Sequence, residues 1–132
     1  MKTLIVEDDF VSRLLLQESL KPYGPVETAE NGKEGVEAVR VALDNDEPFD
    51  LICLDIMMPE MDGQTALKLI REMEQEAASL SGEASKIIVI TALDSASNIV
   101  GVYRGLLCDD YLAKPLDIKK LLEELREMEL IN

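Results

Sequence analysis

A chain of 132 residues with 47% hydrophobic and 30% charged side chains has enough apolar material for one core and little room for a second. Its 27 acidic residues against 13 basic give a formal charge of −14, a field that repels nucleic-acid phosphates and anionic membranes and argues against binding either. Histidine is absent, which removes Ser-His-Asp triads, Cys-His pairs and histidine metal ligands, and leaves carboxylates, hydroxyls, Lys and Tyr for any proton or phosphoryl chemistry.

In chain order, Leu4 to Val6 is a short apolar run that stops at Glu7, Asp8 and Asp9. It is too short, and its flanks are wrong, for a signal peptide or a membrane span. Val11, Leu14 and Leu15 make a first helical stripe, Val26 to Ala29 a weak strand, and Val36 and Val39 part of a second helix. After the polar stretch Asp44 to Pro48, the run Leu51 to Leu54 stops at Asp55, with Cys53 inside it as a core residue. Ala66, Ile70, Met73 and Ala77 follow helical spacing, and the polar stretch Gln75 to Ser85 reads as the connection to the next strand.

That strand, Ile87 to Ile90, stops at Thr91. Ile99, Val102, Tyr103, Leu106 and Leu107 then have helical spacing, interrupted by Gly101 and Gly105, each of which weakens a helix by about 1 kcal/mol. Tyr111 to Ala113 stops at Lys114, and Ile118, Leu121, Leu122, Leu125 and Met128 give the clearest amphipathic face. Core packing is expected to explain every one of these stripes. Cys53 and Cys108 form no CxxC pair, and a reducing cytoplasm suits them.

Five β-rich runs alternating with five helices imply one α/β domain over residues 1–132, built on a parallel sheet. Right-handed crossovers restrict it to a doubly wound (βα)5 form, for which 2-1-3-4-5 is the flavodoxin-like strand order. In such sheets ligands bind outside the carboxyl ends of the strands, beside the switch point between the first and third. Glu7 and Asp8 follow the first strand, Asp55 ends the third, and Thr91 and Lys114 end the fourth and fifth. Any one of them has an ordinary explanation as a helix cap, turn former or solvated charge. Five on one rim do not. Two carboxylates about 4 Å apart repel by about 4 kcal/mol at an effective dielectric of about 20, so three of them facing one lysine must raise a pKa or bind a cation. Hard oxygen ligands without His or thiolate favour Mg2+, which retains waters and accepts phosphate oxygens.

The strings Ile5-Val-Glu-Asp-Asp, Leu54-Asp-Ile-Met-Met-Pro-Glu-Met-Asp-Gly63, Ile90-Thr-Ala and Asp110-Tyr-Leu-Ala-Lys-Pro115 resemble the response-regulator receiver family of two-component signalling, chemotaxis regulators included. The likeness spans nearly the whole chain. It implies that Asp55 accepts a phosphoryl group from the phosphohistidine of a sensor histidine kinase or phosphotransfer protein. It implies that Asp8, Asp55 and the Met57 backbone carbonyl ligate Mg2+, with Glu7 acting through a bound water. Lys114, the Thr91 hydroxyl and the Ala92 backbone N–H would contact the phosphoryl oxygens, and Pro59 and Gly63 would shape the loop after Asp55. Lys114–Pro115 would be cis, and Tyr111 would be the switch aromatic that moves with Thr91.

Output would then be a population shift, read by an effector protein at the face made by the Ile99–Leu107 helix, the Tyr111 strand and the last helix. The chain would be a switch in the cytoplasm rather than an enzyme that turns over an external substrate. The opening Met and the closing helix favour a stand-alone receiver over a piece of a larger regulator. Three readings stand beside this one. A haloacid-dehalogenase-type phosphatase also uses a strand-end Asp with Mg2+, but needs a second acid two residues on, where this chain has Met57. A degenerate receiver, acting only as an interaction module, would not need all five polar residues. A flavin-binding domain of similar topology lacks a phosphate-cradling loop and stacking aromatics here.

Overall fold

Five short strands, β1 (Thr3–Val6), β2 (Val26–Ala29), β3 (Leu51–Asp55), β4 (Lys86–Ala92) and β5 (Asp110–Lys114), pair in the order β2-β1-β3-β4-β5. Every pair is parallel. This is a computed structural model, and it describes residues 1–55, 63–81, 84–92 and 108–132, without the side chains of 63–64, 78–81 and 91–92. The helices are α1 (Phe10–Leu20), α2 (Gly32–Asp44), α3 (Gly63–Ser81) and α4 (Ile118–Glu127), with a 3-10 turn at Lys21–Tyr23. The doubly wound, flavodoxin-like order expected from the alternation is the one observed.

Alternation along the strands sorts the core into two layers. Leu4, Val6, Ile52, Leu54, Ile87 and Val89 pack with Val39 and Ala42 of α2 and Ala66, Leu67 and Ile70 of α3. Ile5, Leu51, Cys53, Ile88 and Ile90 pack on the other side with Leu16 and Leu20 of α1 and Leu121 and Leu125 of α4. Strands buried on both faces must be continuously apolar, which is why these runs show no period of two. Gly35 lets α2 approach β1 closely: a Cβ there would stand 2.7 Å from a Val6 methyl.

Three helices start on side-chain caps. Asp9 accepts from the Ser12 N–H, Asn31 from Glu34, and Asp117 from Lys119 and Lys120. Each such cap is worth about 1 kcal/mol relative to Ala.

Two expectations change. The Val11, Leu14 and Leu15 stripe of α1 does not face the core: these residues are 71%, 43% and 43% exposed, and Phe10 beside them is 64% exposed. Leu16 and Leu20 form a rival stripe on the other side of the same helix, and that one meets the sheet. Spacing defines a stripe, not which of two stripes is buried. The stretch Gln75 to Ser85 is not a loop throughout, because α3 continues to Ser81; Glu, Gln, Ala and Leu are strong helix formers that need no buried face to extend a turn. Gly63, expected to shape the loop after Asp55, opens α3. The expected helix over Ile99–Leu107, with Met57 and Pro59, lies outside the described residues.

Candidate phosphoacceptor site

The site begins with strand register. Val6 pairs with Leu54, and the Glu7 N–H still donates to the Ala29 carbonyl at 3.0 Å. That extension sets Glu7 level with Asp55, the last residue of β3. One strand further, Asp55 pairs with Ile90; at the edge, Ala92 pairs with Lys114. Three strands therefore deliver Glu7, Asp55 and Lys114 to one carboxyl-end rim.

There the Lys114 ammonium lies 2.8 Å from Glu7 Oε1 and 3.2 Å from Asp55 Oδ2, and it donates a hydrogen bond to the latter. Glu7 is 1% exposed and Asp55 4%, while Asp8 is exposed at the mouth. One carboxylate oxygen from each of Glu7, Asp8 and Asp55 falls within 4.8 Å of the others. Glu7 Oε2 accepts from the Asp9 N–H at 3.2 Å. Glu7 Oε1 is buried and accepts no aligned hydrogen bond among the described residues, its contact with the ammonium being one of charge.

These surroundings shift two ionisations. Burial pushes the Glu7 carboxyl above the usual range, and the neighbouring Asp55 adds to the rise against the opposing pull of Lys114. Burial opposes the charge of Lys114, but Glu7 and Asp55 together outweigh it and hold its pKa above the ordinary lysine value. The ammonium is thus secured as a cation, and three carboxylates still face it. Three carboxylates around a single ammonium, with only hard oxygens as ligands, fit a hard divalent cation.

The other expected residues fall out as follows. Thr91 and Ala92 end β4 on the same rim, opposite Ala113 and Lys114; their side chains, like the whole of Met57, lie outside the described set. Tyr111 is half-buried on β5, packed against the α2–α3 core layer. The Lys114–Pro115 bond is cis.

Sequence reading passed over Arg13. Its guanidinium donates to the Glu7 carbonyl at 3.0 Å and stands 3.5 Å from the Asp8 carbonyl. A basic residue four positions into α1, one turn from the acid pair, was the available signal. A separate groove of about 690 Å3 between β2 and α2, lined by Thr28, Glu37, Ala38 and Val41 among others, shares no residue with the rim.

The profile of the response regulator receiver domain family matches residues 3–126. Response regulator MprA of Mycolicibacterium vanbaalenii is 35% identical over 130 residues, covering 97% of this chain and 50% of that protein. MprA of Mycobacterium leprae is 37% identical with the same coverage. The chain thus spans about half the length of the curated relatives it matches. Among solved structures, the receiver domain of the Arabidopsis thaliana histidine kinase CKI1, complexed with Mg2+ and BeF3−, has a TM-score of 0.77 at 31% identity, over 97% of this chain and 89% of that one. Vibrio cholerae chemotaxis protein CheY4 has a TM-score of 0.70 at 26% identity, over 96% of each chain. Fold, rim and likeness agree: the chain belongs to the response regulator receiver domain family of two-component signalling.

Proposed function

We propose that this domain is a phosphorylation switch in which Asp55 accepts a phosphoryl group from the phosphohistidine of a sensor histidine kinase or phosphotransfer protein. The observation that carries the reading is the buried Glu7–Asp55–Lys114 cluster with Asp8 at its mouth. An Asp55 oxygen attacks phosphorus, the P–N bond to the donor imidazole breaks, and its electron pair leaves with the ring. The carboxylate needs no general base, so a chain without histidine can run the step from its side. Transfer through a loose transition state demands alignment and charge stabilisation, and Lys114, already beside Asp55, supplies a fixed positive charge.

Asp8, Asp55 and the Met57 carbonyl would hold Mg2+, with Glu7 engaging it through water. Bound there, the ion would neutralise charge on the transferring oxygens. The Thr91 hydroxyl and the Ala92 N–H would receive the phosphoryl group once it is on Asp55, with Tyr111 following Thr91. Output runs through the face that β5 and α4 form with the Ile99–Leu107 segment, where an effector protein prefers the phosphorylated arrangement. The domain acts as a single receiver over residues 1–132, in the cytoplasm, and self-modifies rather than turning over an external substrate. No described helix is long and apolar enough to cross a membrane.

Incubation with Mg2+ and acetyl phosphate, read by intact mass, tests this. One added phosphoryl group is expected, lost in Asp55→Asn and in EDTA; label that persists in Asp55→Asn sinks the assignment.

A further inference from the structure

We propose that Arg13 is a positioning residue for the cation site: it clamps the backbone of the acid pair and so presets the Glu7 and Asp8 carboxylates for a divalent ion. The inference rests on the reading of the rim given above. Its basis is where the guanidinium points. Arg13 stands beside a cluster of carboxylates, yet its donors go to main chain: Nη1 reaches the Glu7 carbonyl at 3.0 Å and the Asp8 carbonyl at 3.5 Å. The only carboxylate it meets among the described residues, Glu30 at 3.6 Å, belongs to the turn after β2 and is 69% exposed.

The other anchors are local. The guanidinium lies 5.6 Å from the centre of the Phe10 ring, and the Arg13 N–H donates to the Asp9 carbonyl at 2.9 Å. The side chain is 14% exposed. The planar fork turns one nitrogen, Nη1, to the two successive carbonyls and the other, Nη2, toward Glu30, an arrangement that a single lysine ammonium does not reproduce. The clamp thereby fixes the turn that carries both acids without itself engaging their carboxylate oxygens. Groups that orient ligands from outside the coordination sphere commonly govern metal affinity by about ten- to a hundredfold.

Charge alone predicts the opposite sign. Removing a positive group near three carboxylates strengthens cation binding by Coulomb's law; loosening the acid turn weakens it. The test is calorimetric Mg2+ titration of the whole chain, wild type against Arg13→Gln, Arg13→Lys and Glu30→Gln, each checked for fold by circular dichroism. Arg13→Gln is expected to raise the Mg2+ Kd about tenfold. Arg13→Lys, which keeps the charge but not the fork, should show most of the same loss, while Glu30→Gln should stay within about twofold because an exposed ion pair contributes little.

Labelling of Asp55 by acetyl phosphate should recover in Arg13→Gln when Mg2+ is raised tenfold. An unchanged or tighter Kd in Arg13→Gln overturns the inference alone, as does a Kd in Arg13→Lys equal to that of wild type. Wild-type protein that binds no Mg2+ overturns the reading of the rim, and the inference with it.

Discussion

At the amino-terminal ends of β4 and β5 sit Arg71, Glu74, Ser85, Lys86 and Asp109; at the carboxyl ends sit Glu7, Asp8, Asp55 and Lys114. Both groups mix buried carboxylates with cations. At the amino-terminal end, Glu74 accepts from Arg71 at 2.6 Å and from the Ser85 N–H at 2.8 Å. Asp109 accepts from the Ile87 N–H and from Arg71, and its other oxygen lies 3.9 Å from the Lys86 ammonium. The Ser85 hydroxyl donates to the Phe49 carbonyl. Two carboxylates meet two cations, and backbone donors fill the remaining positions, tying α3 to the start of β4. At the carboxyl end three carboxylates gather where one ammonium stands, and among the described residues Glu7 Oε1 has no aligned donor. Burial and charge occur at both ends. What separates a staple from a site is whether the charges and lone pairs are used up.

The comparison breaks or sharpens under four changes, beginning with the largest. Asp55→Asn should abolish phosphoryl labelling outright while leaving the amino-terminal network and the fold intact, as mass and circular dichroism would show. Lys114→Met should slow labelling by about a hundredfold, the usual cost of losing one preorganised charge at a transferring group; a rate within twofold of wild type would remove Lys114 from the mechanism. Glu74→Ala should do the reverse, costing about 3 kcal/mol of stability in urea denaturation because the buried Ser85 N–H loses its acceptor and the Arg71 pair is broken, with labelling at saturating Mg2+ within about twofold. If labelling collapsed instead, the two ends would not be separable.

The smallest effect concerns an acid pair that is neither staple nor site. Asp110 of β5 hydrogen-bonds to Glu124 of α4; that contact first, then burial and the Asp110 charge, lift the Glu124 carboxyl from 4.5 to about 7. A folded pKa raised above the unfolded one means the shared proton's stabilisation is present below about 4.5 and lost as pH rises through about 7. Carboxyl-carbon NMR should show Glu124 titrating in that window, and Asp110→Asn should return it toward 4.5. A Glu124 that titrates normally in wild type would remove the pair. The contrast is instructive: a near-surface clash of like charges relaxes by taking up a proton, whereas the buried rim is held by an ammonium.

The alternation of apolar runs made the parallel sheet and its order legible, because strands buried on both faces leave an unmistakable aliphatic signature. The rim was legible for the same reason: Glu7, Asp55 and Lys114 each follow such a run directly, so strand ends and polar residues coincide. α1 was misread because its two apolar stripes are locally equivalent, and only the sheet decides between Leu16–Leu20 and Val11–Leu14–Leu15. Ser85 reads in sequence as the end of a polar connection; its burial depends on partners 11 and 36 residues away along the chain, Glu74 and Phe49, which no local pattern carries. Arg13 was hidden because its partners are backbone carbonyls, to which any residue type contributes equally.

The strand order has a kinetic consequence. β3 is the middle strand of five, and all five of its residues are buried, so its amides are held by neighbours on both sides. Such positions exchange hydrogen with solvent only through near-global opening, whereas an edge strand opens locally. The amides of β3 leading to Asp55 should therefore be among the slowest to exchange, and those of β5, at the sheet edge with mostly half-buried residues, much faster. On the function proposed above, the chemical mark would be written on this central buried strand, two strands in from the edge where Tyr111 and Lys114 lie. A phosphoryl group on Asp55 would then have a firm footing, and any strain it introduced would be expected to relax toward the edge strand β5.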